Sequence, residues 1–326
     1  MDLETYSFVF GVLFSLLFVI GLIGNICVCI VIIYNKTMQT STNCYLFALA
    51  VSDIVIIICD LNSWILACFG ISPNLFGRSY CLFEVFLAEF AIHNSLLIVT
   101  AVNLARYIAI CHPHFRYNMI NNVPKTIIII IAITVLASCL AIPSAISELE
   151  SCNTASNEII ITNLQKFITS LWMLLLYSGL VIFICVIYKL TSTELKGSIL
   201  VTTSTEPSND ENRKVIRMLA IVVVALCICW TPLQVFRPMY HFLGKLHSIA
   251  PYIEILCGFL FYSVSTTINP ILYNIVSYKF REAFKEIFLR RRSNDQVMPK
   301  RYTVKTEFES LSLVTKSSEH TSNMKD

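Results

Sequence analysis

Residues 81–110, CLFEVFLAEFAIHNSLLIVTAVNLARYIAI, form an almost wholly apolar stretch that decides how the chain is interpreted. As an α-helix rising ~1.5 Å per residue, this stretch would cross a bilayer with turns to spare. It nevertheless carries groups that hydrocarbon rejects, among them Glu89, Ser95 and Arg106. Ionisable residues in a membrane span are costly, so they face a bundle interior or a water-filled cavity. The stretch therefore predicts a membrane helix packed against others around a polar interior.

The composition excludes an ordinary soluble domain. Hydrophobic residues make up 56% of the chain and charged residues 14%, whereas globular domains carry about a quarter charged residues. Long apolar runs follow one another and predict an all-α membrane protein, a bundle of seven transmembrane helices. Between the fifth and sixth runs, residues 191–212 are polar and turn-rich and predict a linker. The runs cover residues 6–34, 43–69, 81–111, 126–147, 164–190, 214–243 and 249–276.

Basic residues are distributed unevenly between the loops on the two sides of the membrane. If the first run starts outside the cell, all but four of the 24 lysines and arginines fall on the inner side. The positive-inside rule then predicts a multi-pass membrane protein with its N-terminus outside and its C-terminus cytoplasmic. The net charge of +3 reflects this asymmetry and does not indicate nucleic acid binding.

The pattern divides the chain into four parts. After the last run, apolar residues recur at helical spacing opposite basic ones, which predicts a short amphipathic eighth helix on the membrane surface. The remaining tail is polar and rich in serine and threonine, which predicts a disordered kinase substrate. The parts are a short extracellular N-terminus (1–5), the seven-transmembrane domain (6–276), the amphipathic helix (277–290) and the cytoplasmic tail (291–326).

Two further features follow from position in the membrane. Asp53 lies near the middle of the second run, where two interpretations stay open: a protonated, internally bonded carboxyl, or a carboxylate that binds sodium and faces Ser95. Cys81, at the outer end of the third run, and Cys152, in the second outer loop, both face the oxidising side. We therefore expect a disulfide between them.

Motifs at consistent depths in successive runs carry a family resemblance. Together they resemble the signature of rhodopsin-like (class A) G-protein-coupled receptors, over residues 6 to about 290. They are Gly24-Asn25, Leu49-x-x-x-Asp53, Cys81, Arg106-Tyr107, Cys229-Trp230-x-Pro232 and Asn269-Pro270-x-x-Tyr273.

Within that family the chain resembles the peptide-receptor group of the ghrelin, motilin, neuromedin U and thyrotropin-releasing-hormone receptors. The resemblance rests on residues 40–47 and 269–274, and on the acid Glu89 and the arginine Arg237, which several members share. It implies a receptor for an extracellular peptide, and not an enzyme. The ligand-binding residues it implies are Glu89, His93, Arg237, Gln234 and Phe259.

The resemblance also implies how a signal crosses the bundle. Helix six would pivot at Pro232, with Trp230 beneath the ligand as a packing switch. Arg106 and Tyr107 would then be exposed to the G protein, and Tyr188 and Tyr273 would rearrange toward the same space. An allosteric sodium ion bound by Asp53 is the only cofactor expected. The sodium site implied comprises Asp53, Ser95, Asn269 and Ser265.

The expected partners are an extracellular peptide, a heterotrimeric G protein of the Gq type, membrane lipid, and arrestin and receptor kinases through the tail. Ala105 departs from the family, because it replaces the acid that normally precedes Arg106. A non-signalling decoy and a constitutively active receptor are therefore alternatives. A membrane transporter is a remote alternative. An intramembrane metalloenzyme would need a third ligand beside Glu89 and His93, and the sequence offers none nearby.

Overall fold

Apolar segments fold as helices in a membrane because every backbone N–H and C=O must be paired within the segment. The computed structural model describes residues 2–71, 77–112, 122–147, 159–201, 207–243, 250–276 and 278–288, and in these ranges the regular structure is helical. Seven helices of this part are long and apolar enough to cross a membrane, which confirms the predicted seven-helix bundle. From Phe288 the chain belongs to a second unit, of which only Phe288 is described.

We number the helices α1 to α8 in chain order. Two of them contain a π-helical segment, Ile57–Leu61 in α2 and Phe259–Val264 in α7, and these two segments pack against each other. A single 3₁₀ turn, Lys36–Met38, follows α1. The helices are α1 Leu3–Tyr34, α2 Ser41–Ile56 continued by Asn62–Cys68, α3 Arg78–Cys111, α4 Val123–Ser147, α5 Ile159–Val201, α6 Pro207–Leu243, α7 Ala250–Gly258 continued by Ser265–Val276, and α8 Tyr278–Phe288.

The first helix begins earlier than residue 6, where the apolar run was placed. The Asp2 carboxylate caps it by accepting a hydrogen bond from the Thr5 backbone N–H at 3.2 Å. Hydrogen bonds from Thr5 lower the pKa of Asp2. An N-terminal cap satisfies one of the otherwise unpaired amides of the first turn. Most of the segment 1–5 therefore belongs to α1.

The linker predicted at residues 191–212 is largely helical instead. Helix α5 continues to Val201, and α6 begins at Pro207. Proline suits the first turn of a helix, where its missing N–H is not needed. Residues 192–197, Ser-Thr-Glu-Leu-Lys-Gly, combine polarity with several good helix formers, so a polar composition alone did not indicate a loop.

Helix α3 lies centrally and packs against α2, α4 and α5. A buried polar cluster joins three of these helices. The Asn94 amide donates to the Ser52 hydroxyl at 2.8 Å, and the Thr134 hydroxyl donates to Asn94 Oδ1 at 3.5 Å. Hydrogen bonds of this kind hold helices together where lipid offers no polar alternative.

Helices α1 and α7 approach closely at the Gly24-Asn25 motif. A Cβ at Gly24 would lie 3.1 Å from Pro270 Cβ, so the small residue permits the approach. The Asn25 amide donates to the Thr266 carbonyl at 3.1 Å across the same contact. Helix α8 turns its apolar residues Phe280 and Ala283 onto the bundle, where both are buried.

Candidate ligand-binding cavity

A cavity of about 460 Å³, which we call the large cavity, opens among helices α2 to α7. It lies toward the end of the bundle that holds Cys81, which we call the Cys81 end. Helix α3 contributes Glu89 to its wall, α6 contributes Arg237, and α7 contributes Glu254 and Tyr262. The volume is in the range of small-molecule and peptide side-chain pockets.

Arg237 joins three helices at this wall. Its Nη2 donates a hydrogen bond to the Tyr262 hydroxyl at 2.6 Å, and its Nη1 lies 3.5 Å from Glu89 Oε1. The Arg237 side chain is 29% exposed and that of Glu89 13%, so both are largely removed from solvent. The structure thus brings together the two residues on which the peptide interpretation depended.

The other three predicted ligand residues lie elsewhere, and none is among the described residues that line the large cavity. His93 is buried, and its Nδ1 lies 2.7 Å from the Glu89 carbonyl oxygen. Gln234 is 3% exposed. The ring of Phe259 packs edge-on against Phe10 and Phe14 at centroid distances of 5.2 and 5.4 Å. Helical register, which sequence spacing fixes only approximately, turns these side chains away from the cavity.

Two residues of the wall were missed from the sequence. Glu254 is an acid inside an apolar run, the same signal that singled out Glu89, and it could have been found that way. Tyr262 carries no such signal, because tyrosines are common in membrane helices. Its role depends on the contact with Arg237, which is separated from it by 25 residues.

A second, small cavity of about 30 Å³ lies deeper in the bundle. Both Asp53 oxygens accept hydrogen bonds there, Oδ2 from the Asn269 amide at 2.9 Å and Oδ1 from the Ser95 hydroxyl at 3.4 Å. Ser265 also lines the cavity, and its hydroxyl donates to the Phe261 carbonyl. All four residues predicted for the sodium site therefore meet in one place.

The donor set of the small cavity fits a sodium ion. A carboxylate has about four lone-pair sites, of which hydrogen bonds use two here, and the Ser95 and Ser265 hydroxyls add further oxygens. Hard cations prefer such oxygen ligands. Among the described residues no group of three His, Cys, Asp or Glu side chains could hold a metal ion.

Trp230 lies between the two cavities. Its ring lines the small cavity and contacts Phe261 and Tyr177 at centroid distances of 4.8 and 6.3 Å. One turn further along α6, Leu233 lines the large cavity. A displacement of α6 at the large cavity would therefore reach the small cavity through one turn of helix.

The opposite end of the bundle holds Arg106 and Tyr107, both half-buried on α3. The Tyr107 ring packs edge-on against His112 at 5.6 Å. Tyr188, on α5, is also half-buried. The Tyr273 side chain lies outside the described residues.

Comparison with known proteins assigns the class. Residues 24–273 match the model of the 7 transmembrane receptor (rhodopsin family). The chain belongs to this family. It is 31% identical to neuromedin-U receptor 2 of Mus musculus, covering 85% of this chain and 74% of that protein. It is 32% identical to the neuromedin U receptor homolog nmur-2 of Caenorhabditis elegans, with 84% and 77% covered. It is 28% identical to the pyrokinin-1 receptor of Drosophila melanogaster, with 86% and 80% covered.

As a member of the rhodopsin family, the chain is a multi-pass membrane receptor and not an enzyme, as predicted. The resemblance to the neuromedin U group is confirmed by these relatives. In this receptor Cys81 is disulfide-bonded. Its predicted partner Cys152 lies outside the described residues, so that pairing stays a prediction, as do the tail assignments for residues 291–326.

Proposed function

We propose that this protein is a plasma-membrane receptor that binds an extracellular peptide in the large cavity and activates a heterotrimeric G protein. The Cys81 end would face the outside, as the distribution of basic residues favours. The relatives are named for neuromedin U and pyrokinin, which supports a peptide ligand of that general kind.

The observation that carries the proposal is the charged wall of the large cavity. Arg237, Glu89 and Glu254 lie in one cavity that apolar and aromatic side chains also line. A few polar groups in an otherwise apolar concave site fix the orientation of a ligand and provide specificity. A peptide offers backbone carbonyls or acidic groups for Arg237 and basic side chains for the carboxylates.

The signal of ligand binding would pass along α6 from the large cavity to the Arg106 end of the bundle. The helix contacts the ligand at Arg237, packs between Tyr177 and Phe261 at Trp230, and contains Pro232 between these two levels. A proline removes one backbone hydrogen bond and so provides a place to bend. Ligand binding would favour the state in which α6 has moved and the Arg106 end is open to the G protein.

Further partners belong to the same proposal. We take the G protein to be of the Gq type, and the serine- and threonine-rich tail to be the substrate of receptor kinases and the contact for arrestin. A sodium ion at Asp53 would stabilise the inactive bundle, because its small cavity includes Trp230 on the moving helix.

A direct test is nucleotide exchange on purified G protein by the receptor in membranes, with a panel of amidated neuropeptides that includes neuromedin U and pyrokinin. Calcium release in transfected cells would report the Gq branch. We expect peptide-dependent exchange that Arg106→Ala abolishes while peptide binding persists. The exposed α8 variant Glu282→Gln is the matched control and should behave as the wild type.

The alternatives give different results in the same assay. A decoy would bind a peptide without stimulating exchange on any G protein. A constitutively active receptor would drive exchange equally with and without peptide. Uptake of labelled peptide into vesicles, without exchange, would indicate a transporter and would contradict the proposal.

A further inference from the structure

Two acids, Glu89 and Glu254, and two bases, Arg237 and Lys166, line the large cavity, but they are not paired alike. Arg237 and Glu89 face each other with Nη1 and Oε1 3.5 Å apart, so each offsets the other. Lys166, on α5, has an interaction of its own. Glu254 lines the same cavity and is attracted by the charge of Arg237, but it makes neither a hydrogen bond nor an ion pair with any described residue. Among the residues that the structure describes, this carboxylate of the wall has no directly bonded partner.

The surroundings of Glu254 make an added cation favourable. Its side chain is exposed and reaches the cavity from the Cys81 end of α7. Trp64 and Tyr262 form aromatic wall nearby on α2 and α7, and their rings lie 5.8 Å apart. A carboxylate beside apolar and aromatic surface loses part of its hydration when a ligand fills the space, and a positive ligand group compensates for that loss.

We infer that Glu254 binds a basic side chain of the peptide ligand, and that it, and not Glu89, is the main anionic contact. This inference rests on the proposed function, since it names the ligand chemistry of the same cavity. Glu89 already has Arg237 beside Oε1, and its Oε2, which has no hydrogen-bond partner among the described residues, is buried, so a ligand cation reaches it less readily than it reaches the exposed Glu254. Arg237 acts on Glu254 only through a longer-range charge attraction, and Glu254 is exposed, so a ligand cation can approach it without displacing a directly bonded group of the described residues.

The first test needs no peptide. Ser170, on the α5 wall of the large cavity, is changed to cysteine, and its reaction with a cationic and an anionic methanethiosulfonate reagent is timed. The receptor without the added cysteine gives the background from native thiols. Glu254→Gln should lower the ratio of the cationic to the anionic rate by about fivefold, because an ionised group attracts one reagent and repels the other. Glu254→Asp should preserve the ratio. An unchanged ratio in Glu254→Gln would overturn the inference, whether or not any peptide activates the receptor.

The second test uses the most potent peptide of the panel, with each arginine replaced by citrulline and each lysine by acetyl-lysine in turn. Replacement of the basic peptide residue that contacts Glu254 should lower the affinity of the wild-type receptor about ten- to a hundredfold, as expected for a charge-assisted contact. Glu254→Gln should lower the affinity for the native peptide by the same factor. With the peptide that lacks this charge, Glu254→Gln and the wild type should bind equally well. Glu254→Asp should recover most of the affinity. If Glu254→Gln lowered the affinity for every peptide, native or modified, by the same factor, Glu254 would only shape the wall. The inference would then fail while the proposed function stood.

Discussion

The Arg237 guanidinium is bound more closely to Tyr262 than to Glu89: its Nη2 donates to the Tyr262 hydroxyl at 2.6 Å, whereas its Nη1 lies 3.5 Å from Glu89 Oε1. Tyr262 is itself fixed, because it is 2% exposed and its ring packs edge-on against Phe261 at 4.7 Å. A ligand acceptor that approaches Arg237 would therefore replace Glu89 more readily than Tyr262. Arg237 would remain attached to α7 while it exchanges its partner on α3.

Tyr262→Phe removes this attachment and preserves the ring. Hydrogen bonds to charged groups contribute about 1.5–3 kcal/mol, so agonist affinity should fall about ten- to a hundredfold. Radioligand or fluorescent-peptide binding measures the loss at matched surface expression. Tyr252→Phe is the control, because the Tyr252 backbone carbonyl, and not its hydroxyl, accepts the hydrogen bond from Tyr6. Unchanged affinity in Tyr262→Phe would mean that Arg237 is positioned by other contacts.

Arg237→Ala should be more damaging than Glu89→Gln. The alanine leaves a largely buried carboxylate without its cation, whereas the glutamine leaves Arg237 bonded to Tyr262. Removing one partner of a desolvated charge pair costs about 2–5 kcal/mol, or roughly thirty- to several-thousand-fold in affinity. Since Arg237 is 29% exposed, we expect the lower part of that range.

The exchanged pair Glu89→Arg with Arg237→Glu separates two roles of this contact. If Arg237 binds the peptide, the exchanged receptor should stay weak although it reaches the surface. Recovery of potency in the exchanged receptor would instead show that the pair only shapes the cavity.

Sodium should lower agonist affinity through Asp53. A cation that binds the inactive bundle must weaken agonist binding by linkage. Raising sodium at constant ionic strength, with choline as the replacement, should reduce affinity in the wild type and have no effect in Asp53→Asn. Ser265→Ala should weaken the sodium response, because its hydroxyl lines the small cavity. Equal sodium sensitivity in the wild type and Asp53→Asn would remove the assignment.

Ala105→Asp should reduce signalling without ligand. The alanine methyl cannot accept a hydrogen bond from the adjacent Arg106, and the resemblance implies that an acid at this place stabilises the inactive state. A charge-assisted hydrogen bond contributes about 1.5–3 kcal/mol, enough to change a minor active population appreciably. Basal nucleotide exchange at matched expression is the measurement, and Ala105→Asn is the uncharged control. The same basal signal in Ala105→Asp would contradict this explanation.

Gly258→Ala should destabilise the bundle, whereas Gly179→Ala should not. A Cβ at Gly258 would lie 2.9 Å from the Trp64 ring, but a Cβ at Gly179 would meet nothing within 4 Å. Overpacking costs about 1–3 kcal/mol, whereas glycine to alanine in an open helix position gains up to about 1 kcal/mol. Thermal unfolding of the purified receptor in detergent compares the two. A Gly258→Ala protein as stable as Gly179→Ala would show that Trp64 moves freely.

The architecture could be predicted because a membrane restricts it severely. Apolar runs of sufficient length must be helices, and the ionisable residues within them must face the interior. These two requirements anticipated that Asp53 faces the interior, and the family resemblance added Ser265 and Asn269. The structure brings these three residues together with Ser95 in the small cavity. The pattern of polarity was less informative at residues 191–212, where no lipid constrains the chain and two helices extend.

The sequence by itself determined that the chain has seven spans and that Glu89 and Arg237 lie at corresponding depths, because helical rise converts residue number into distance. Only the tertiary structure decided which side chains of that level share a cavity. Rotation of each helix about its axis depends on interlocking contacts such as Gly258 with Trp64, which link residues far apart in the chain. For that reason Tyr262 and Glu254 line the large cavity, while His93 is buried beside the backbone of its own helix.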